Sequence, residues 1–147
     1  MPYRFLDRSP CPVCARLDAG PDPVTVAWTE FSAAYVPSRQ PTPGTALAVP
    51  RRHVRAPGEL SAAEDEDLWL LVCRLAGAAL TAFGGPSYHV SQYLGAITGE
   101  PPDHLWWRVE PRNASPPSTP MDISALPIAS PSQRERYAHQ LRQALAP

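Results

Sequence analysis

The sequence predicts an α+β fold, with an antiparallel sheet covered by one long helix and a second helix near the C-terminal end. Three observations carry this prediction. Short runs rich in β-branched and aromatic residues lie close together in the first fifty positions, separated by turn residues. One long helical period follows, opened by the capping box Ser61-Ala62-Ala63-Glu64 and stopped by Gly84-Gly85-Pro86. Further on, Ser130-Pro131 supplies an N-cap and a first-turn proline for another helix.

Taken in order, residues 1–23 read as irregular, broken by Pro2, Pro10, Pro12, Pro21 and Pro23. Residues 24–29 and 31–36 read as the two strands of a hairpin. Residues 37–44 form a proline-broken loop, and residues 45–49 a third strand ending at Pro50. In the long helix Leu68, Leu71, Val72, Leu75, Ala79 and Phe83 recur at helical spacing. Residues 88–94 and 105–110 read as two more strands joined by a Gly/Pro-rich loop. Residues 113–120 resemble a linker. In the last helix Tyr137, Leu141 and Leu145 share a face.

The chain has 147 residues, enough for one domain with a real core: a knuckle at 1–23, a core at 24–112, and a linker with the C-terminal helix at 113–147. Formal net charge is −1, so no basic footprint argues for nucleic acid. All 13 basic residues are arginine, whose guanidinium binds carboxylate or phosphate in a bidentate way. No apolar run approaches the roughly 20 residues of a membrane span. The first residues lack a signal-peptide core, which makes a cytoplasmic protein the default expectation. Cys73 lies in the apolar helical run and is expected to be a small core residue.

Cys11-Pro12-Val13-Cys14, taken with His53 and His104, is a Cys2His2 inventory. Tetrahedral structural zinc sites use such ligands. By itself CxxC also fits a redox pair or core cysteines, and two distant histidines add little until a fold brings them together.

A resemblance supplies that fold. Val49-Pro50-Arg51-Arg52-His53-Val54, with Glu59-Leu60-Ser61 and the helix behind it, resembles the middle of a histidine-triad (HIT) domain. His89-Val90-Ser91-Gln92-Tyr93-Leu94-Gly95 resembles the family's Asn-rich strand. Gly99-Glu100-Pro101-Pro102-Asp103-His104 resembles the loop that leads into its triad, and Pro111-Arg112 resembles the close of the motif. Residues 121–145 are similar to the last segment of the galactose-1-phosphate uridylyltransferase branch. The likeness spans roughly residues 8–145.

The resemblance implies that Cys11, Cys14, His53 and His104 hold a structural Zn2+, since zinc-bearing members use the equivalent positions. Asp103 could then orient His104 from behind. It also implies a degenerate active centre, His104-x-Trp106-x-Arg108. In the superfamily the middle histidine attacks a phosphoryl group and forms a covalent nucleotidyl intermediate. Trp106 stands there, and an indole cannot be that nucleophile. Arg108 replaces the third histidine, His89 an asparagine and Glu100 a glutamine. Strand alternation places His104, Trp106 and Arg108 on one face, with Leu105 and Trp107 on the other.

These replacements point to three functions. One is an enzyme with altered chemistry on a small anionic metabolite, in specialised metabolism. There His89, Glu100 and Arg108 are the catalytic candidates, and Trp106, Gln92 and Arg112 contact substrate. The second is a non-catalytic protein that binds a nucleotide, a phosphate ligand or a partner. The third is nucleotidyl transfer or hydrolysis through another nucleophile. A homodimer is expected by analogy, and neither nucleic acid nor membrane is expected as a partner.

Overall fold

The computed structural model describes residues 11–92, 104–112 and 126–146. Five strands form one antiparallel sheet: β1 (Thr25–Trp28), β2 (Ser32–Tyr35), β3 (Ala46–Pro50), β4 (Ser87–Ser91) and β5 (Trp107–Arg112). Their spatial order is β1-β2-β3-β5-β4. Helix α2 (Ala62–Phe83) covers one face, and α3 (Pro131–Leu145) packs against α2 and β1. The expected α+β architecture is the observed one.

Strand alternation divides the sheet chemically. Ala34, Val36, Ala46, Ala48 and Val109 face α2, where Leu68, Leu71, Val72 and Leu75 bury against them. Alanines at the sheet centre let the helix approach closely. The opposite face carries Ala33, Tyr35 and Val49, with Leu47 and Trp106 packed beside them. Leu105 and Trp107 belong to the helix side and Trp106 to the other, as strand alternation predicts.

Helix α2 starts as expected. The Ser61 hydroxyl accepts from the Glu64 N–H, and the Glu64 carboxylate accepts from the Ser61 N–H. It ends at Gly84, whose φ of +66° suits glycine and whose N–H donates to the Leu80 carbonyl. Helix α3 has a second capping box, between Ser130 and Gln133, with Pro131 in its first turn. Leu141 is buried, and the Tyr137 ring meets Phe83 edge-on with centroids 5.7 Å apart.

Three expectations need correction. The first concerns residues 12–19, read as irregular, which form helix α1 (Pro12–Ala19). Cys11 caps it, Pro12 occupies the first turn, and Val13 and Leu17, one turn apart, dock on the open sheet face. Eight residues are too few for a helix without such docking. The second is Cys73, which is exposed rather than in the core. At 100° per residue it lies with Trp69 and Gly77, opposite the Leu68–Leu71–Leu75 stripe. The third is the last strand, which begins at Trp107 rather than Leu105, because Leu105 donates its N–H to Val54, outside the ladder. Glu100, Asp103, the 113–120 linker and the end of the fourth predicted strand lie outside the described residues.

Candidate metal centre and sheet-face site

Two groups of polar side chains gather on the face away from α2. The first joins three distant segments. Cys11 caps α1 and Cys14 lies in its first turn, His53 comes from the loop after β3, and His104 from just before β5. Their ligand atoms all lie within 4.8 Å of one another. Cys14 Sγ is 3.1 Å from His53 Nδ1 and 3.5 Å from His104 Nδ1. Cys11 Sγ is 3.6 Å from His104 Nδ1. A tetrahedron with zinc's Zn–S and Zn–N bond lengths has S···N edges of about 3.6 Å, so the donor set fits such an ion.

The surroundings prepare these atoms as ligands. The Cys14 N–H donates to Cys11 Sγ at 3.4 Å, which fixes the knuckle. His104 is 2 % exposed, and its Nε2 lies 2.8 Å from the Pro50 carbonyl. A carbonyl only accepts, so Nε2 carries the hydrogen and Nδ1 turns its lone pair to the cluster. Burial pulls the His104 pKa down to about 4, against the raising effect of the Pro50 hydrogen bond and with help from nearby His53. The ring is therefore neutral at pH 7, as metal ligation requires.

His53 is held by its neighbours. Arg51 donates to the Thr29 and Glu30 carbonyls and lies over the Trp28 ring at 4.8 Å. Arg52 binds Glu64 through two hydrogen bonds, at 2.8 and 2.9 Å, and also donates to the Glu59 carbonyl. These bonds tie the His53 loop to the β1–β2 hairpin and to the start of α2. Arg51 and Arg52 read only as basic motif residues in the sequence, since their partners come from other elements. A cleft of about 400 Å³ opens here between Trp28, Phe31, Arg51 and Arg52, with its arginines already engaged.

The second group lies further along the face, where β4 pairs with β5. Their register sets His89 opposite Glu110, Ser91 opposite Arg108 and Ser87 opposite Arg112. Arg108 Nε lies 2.8 Å from Glu110 Oε1, with the two side chains 6 % and 1 % exposed. The Arg108 guanidinium also stands 5.6 Å from the centre of the Trp106 ring. His89 Nδ1 is 3.6 Å from Glu110 Oε2, and the His89 side chain is 42 % exposed. Gln92 donates to the Trp106 carbonyl at 3.3 Å, and Arg112 is half-buried.

Thus His89, Arg108 and Arg112 lie on the adjoining strands β4 and β5, Gln92 and Trp106 lie one residue outside them, and Arg108 is paired with Glu110. Glu100, the expected partner of His89, lies outside the described residues. Glu110 was missed as a site residue. The signal was available: a carboxylate at an alternating position of a strand otherwise buried on both faces.

No protein-family model matches the chain, and no curated protein matches it in sequence. Solved structures do. The chain is similar to a Hit-like protein from Bartonella henselae, with a TM-score of 0.75 and 21% identity, covering 88% of this chain and 91% of that one. It is similar to a zinc-bound histidine triad family protein from Mycobacterium smegmatis, with a TM-score of 0.72 and 19% identity, covering 92% and 93%. It is also similar to a hypothetical histidine triad nucleotide-binding protein from Sulfolobus tokodaii, with a TM-score of 0.77 and 16% identity, covering 92% and 91%. The chain has the histidine-triad fold, and at its corner stands a Cys2His2 cluster able to hold a metal ion.

Proposed function

We propose that this chain is a zinc-stabilised member of the HIT superfamily, of the galactose-1-phosphate uridylyltransferase-like branch. Its triad is degenerate, His104-x-Trp106-x-Arg108, and it works as an enzyme with altered chemistry on a small anionic metabolite. The zinc is structural: four protein ligands leave no open position for substrate. Cys11, Cys14, His53 and His104 would hold it, tying α1 to the ends of β3 and β5.

One observation carries the catalytic reading. An accessible imidazole, His89, stands in front of a buried carboxylate, Glu110. That arrangement suits general acid–base catalysis, in which a carboxylate orients the ring and the far nitrogen exchanges a proton with substrate. Half-buried Arg112, two residues from Glu110 on the same face, is a cation that an anionic ligand could reach. Trp106 offers a wall.

A second reading has its own support. Arg108, an expected catalytic residue, is buried against Glu110 and Trp106, which favours a non-catalytic protein that binds a nucleotide or another phosphate compound through other groups. We also propose a homodimer in the cytoplasm. Among the described strands β4 lies at the sheet edge, and Tyr88, Trp69 and Leu70 on β4 and α2 are 46%, 51% and 56% exposed. No described helix is long and apolar enough to cross a membrane.

The test is a thermal-shift screen of nucleoside monophosphates, sugar phosphates and small carboxylates, followed by turnover of each hit. The enzyme reading expects a hit that is converted, with the rate falling about 100-fold or more in His89→Ala. Binding without conversion would leave the ligand-binding protein. No hit in the whole panel would refute both readings.

A further inference from the structure

We infer that Glu110 is a positioning residue that holds His89 in its Nδ1–H tautomer, making Nε2 the proton acceptor of the site. The inference rests on the acid–base reading of His89, but its test does not need a substrate.

The register makes the contact. His89 and Glu110 are direct partners across the antiparallel β4–β5 ladder, so their side chains leave the sheet together on one face. His89 Nδ1 is shielded from solvent, 3.6 Å from Oε2, although the side chain as a whole is 42 % exposed. The exposure therefore lies on the rest of the side chain, away from Nδ1. At 3.6 Å the contact is just outside hydrogen-bond range, and unliganded sites often hold catalytic contacts at such lengths.

Arg108 decides how the carboxylate is used. Its Nε lies 2.8 Å from Oε1, supplying the opposite charge that a buried carboxylate needs. Oε1 is thus the oxygen beside the Arg108 charge, and Oε2 is the one that faces His89. An ionised carboxylate has no hydrogen to give. The ring nitrogen facing it must then carry the N–H, which leaves the lone pair on Nε2. In its neutral form His89 accepts a proton from substrate and becomes a donor only after doing so. The usual tautomer of an unconstrained histidine, Nε2–H, would present a donor instead.

Glu110→Gln reverses this logic with little change of shape. The amide carbonyl takes the place of Oε1, because the guanidinium charge of Arg108 attracts the oxygen and repels the NH2. The amide NH2 then falls where Oε2 was and donates to His89 Nδ1, which moves the ring hydrogen to Nε2.

The experiment is long-range 1H–15N NMR of the metal-loaded full chain with 15N-labelled histidine, at about pH 8.5, above the ordinary imidazole range. His89→Gln identifies the His89 signals. The expected result is a protonated Nδ1 and an unprotonated Nε2 in the wild type, with the two assignments exchanged in Glu110→Gln. A wild-type His89 in the Nε2–H form overturns the inference, and so does a folded Glu110→Gln protein with an unchanged tautomer. The wild-type spectrum decides alone should the variant fail to fold. The expected tautomer together with turnover insensitive to His89→Ala would sink the enzyme reading and leave the positioning role standing.

Discussion

Replacing Arg108 by methionine tests the buried polar network directly. Methionine keeps the length and apolar bulk of the arginine stem, so the main loss is the charge. In the native protein Arg108 and Glu110 are 5% and 1% exposed and meet at 2.8 Å. With charge centres about 4 Å apart and an effective dielectric near 20, their attraction is about 4 kcal/mol. Removing one partner of a buried pair typically costs about 3–5 kcal/mol, because the other charge stays in a poorly solvated place. The arginine's contact with Trp106 adds about 0.5–1 kcal/mol. Arg108→Met is therefore expected to lose about 4 kcal/mol in urea unfolding at pH 7 with the metal site loaded. Arg108→Met/Glu110→Leu, with both charges gone, should recover at least about 2 kcal/mol of that loss. A loss under about 1 kcal/mol, or single effects that add within about 0.5 kcal/mol, would refute the claim that the two side chains act as one buried unit.

Two further predictions concern the metal corner. Protein purified without added metal should carry about one zinc per chain by elemental analysis, Cys14→Ser and His104→Ala should lose it, and chelation should unfold the α1 corner first in hydrogen exchange. Zinc-free protein indifferent to chelator would contradict the structural role. The apo protein should also weaken in acid. His104 has a pKa of about 4 when folded against an ordinary 6.5, so the unfolded chain binds a proton that the folded chain resists. Stability is then complete above about pH 6.5 and falls as pH drops through 6.5 to 4, by up to about 3 kcal/mol. Urea unfolding of apo wild type and apo His104→Gln across that window checks it; equal slopes would remove His104 as the cause.

Local chemistry made much of the fold legible. The capping boxes at Ser61 and Ser130, the glycine stop at Gly84 and the alternation around Trp106 are short-range features, and each is found where the residues place it. The metal ligands were legible only through resemblance. Nothing in the spacing of Cys14, His53 and His104 says that α1, the end of β3 and the start of β5 converge. The same limit applied to α1, whose eight residues become helical when Val13 and Leu17 dock on the sheet.

By itself, then, the sequence determined which side of the sheet Leu105, Trp106 and Trp107 face, where both long helices begin and where α2 ends, because those follow from backbone periodicity and hydrogen bonds a few residues apart. It did not determine which faces meet. Cys73 lies in an apolar run, yet one helical rotation sets it in solvent. His89 pairs with Glu110 because the β4–β5 register puts them opposite, and a slip of one residue would send one of them through to the other face. Tertiary structure alone chose the carboxylate behind His89 and buried Arg108 against it, since register and burial are properties of strands brought together.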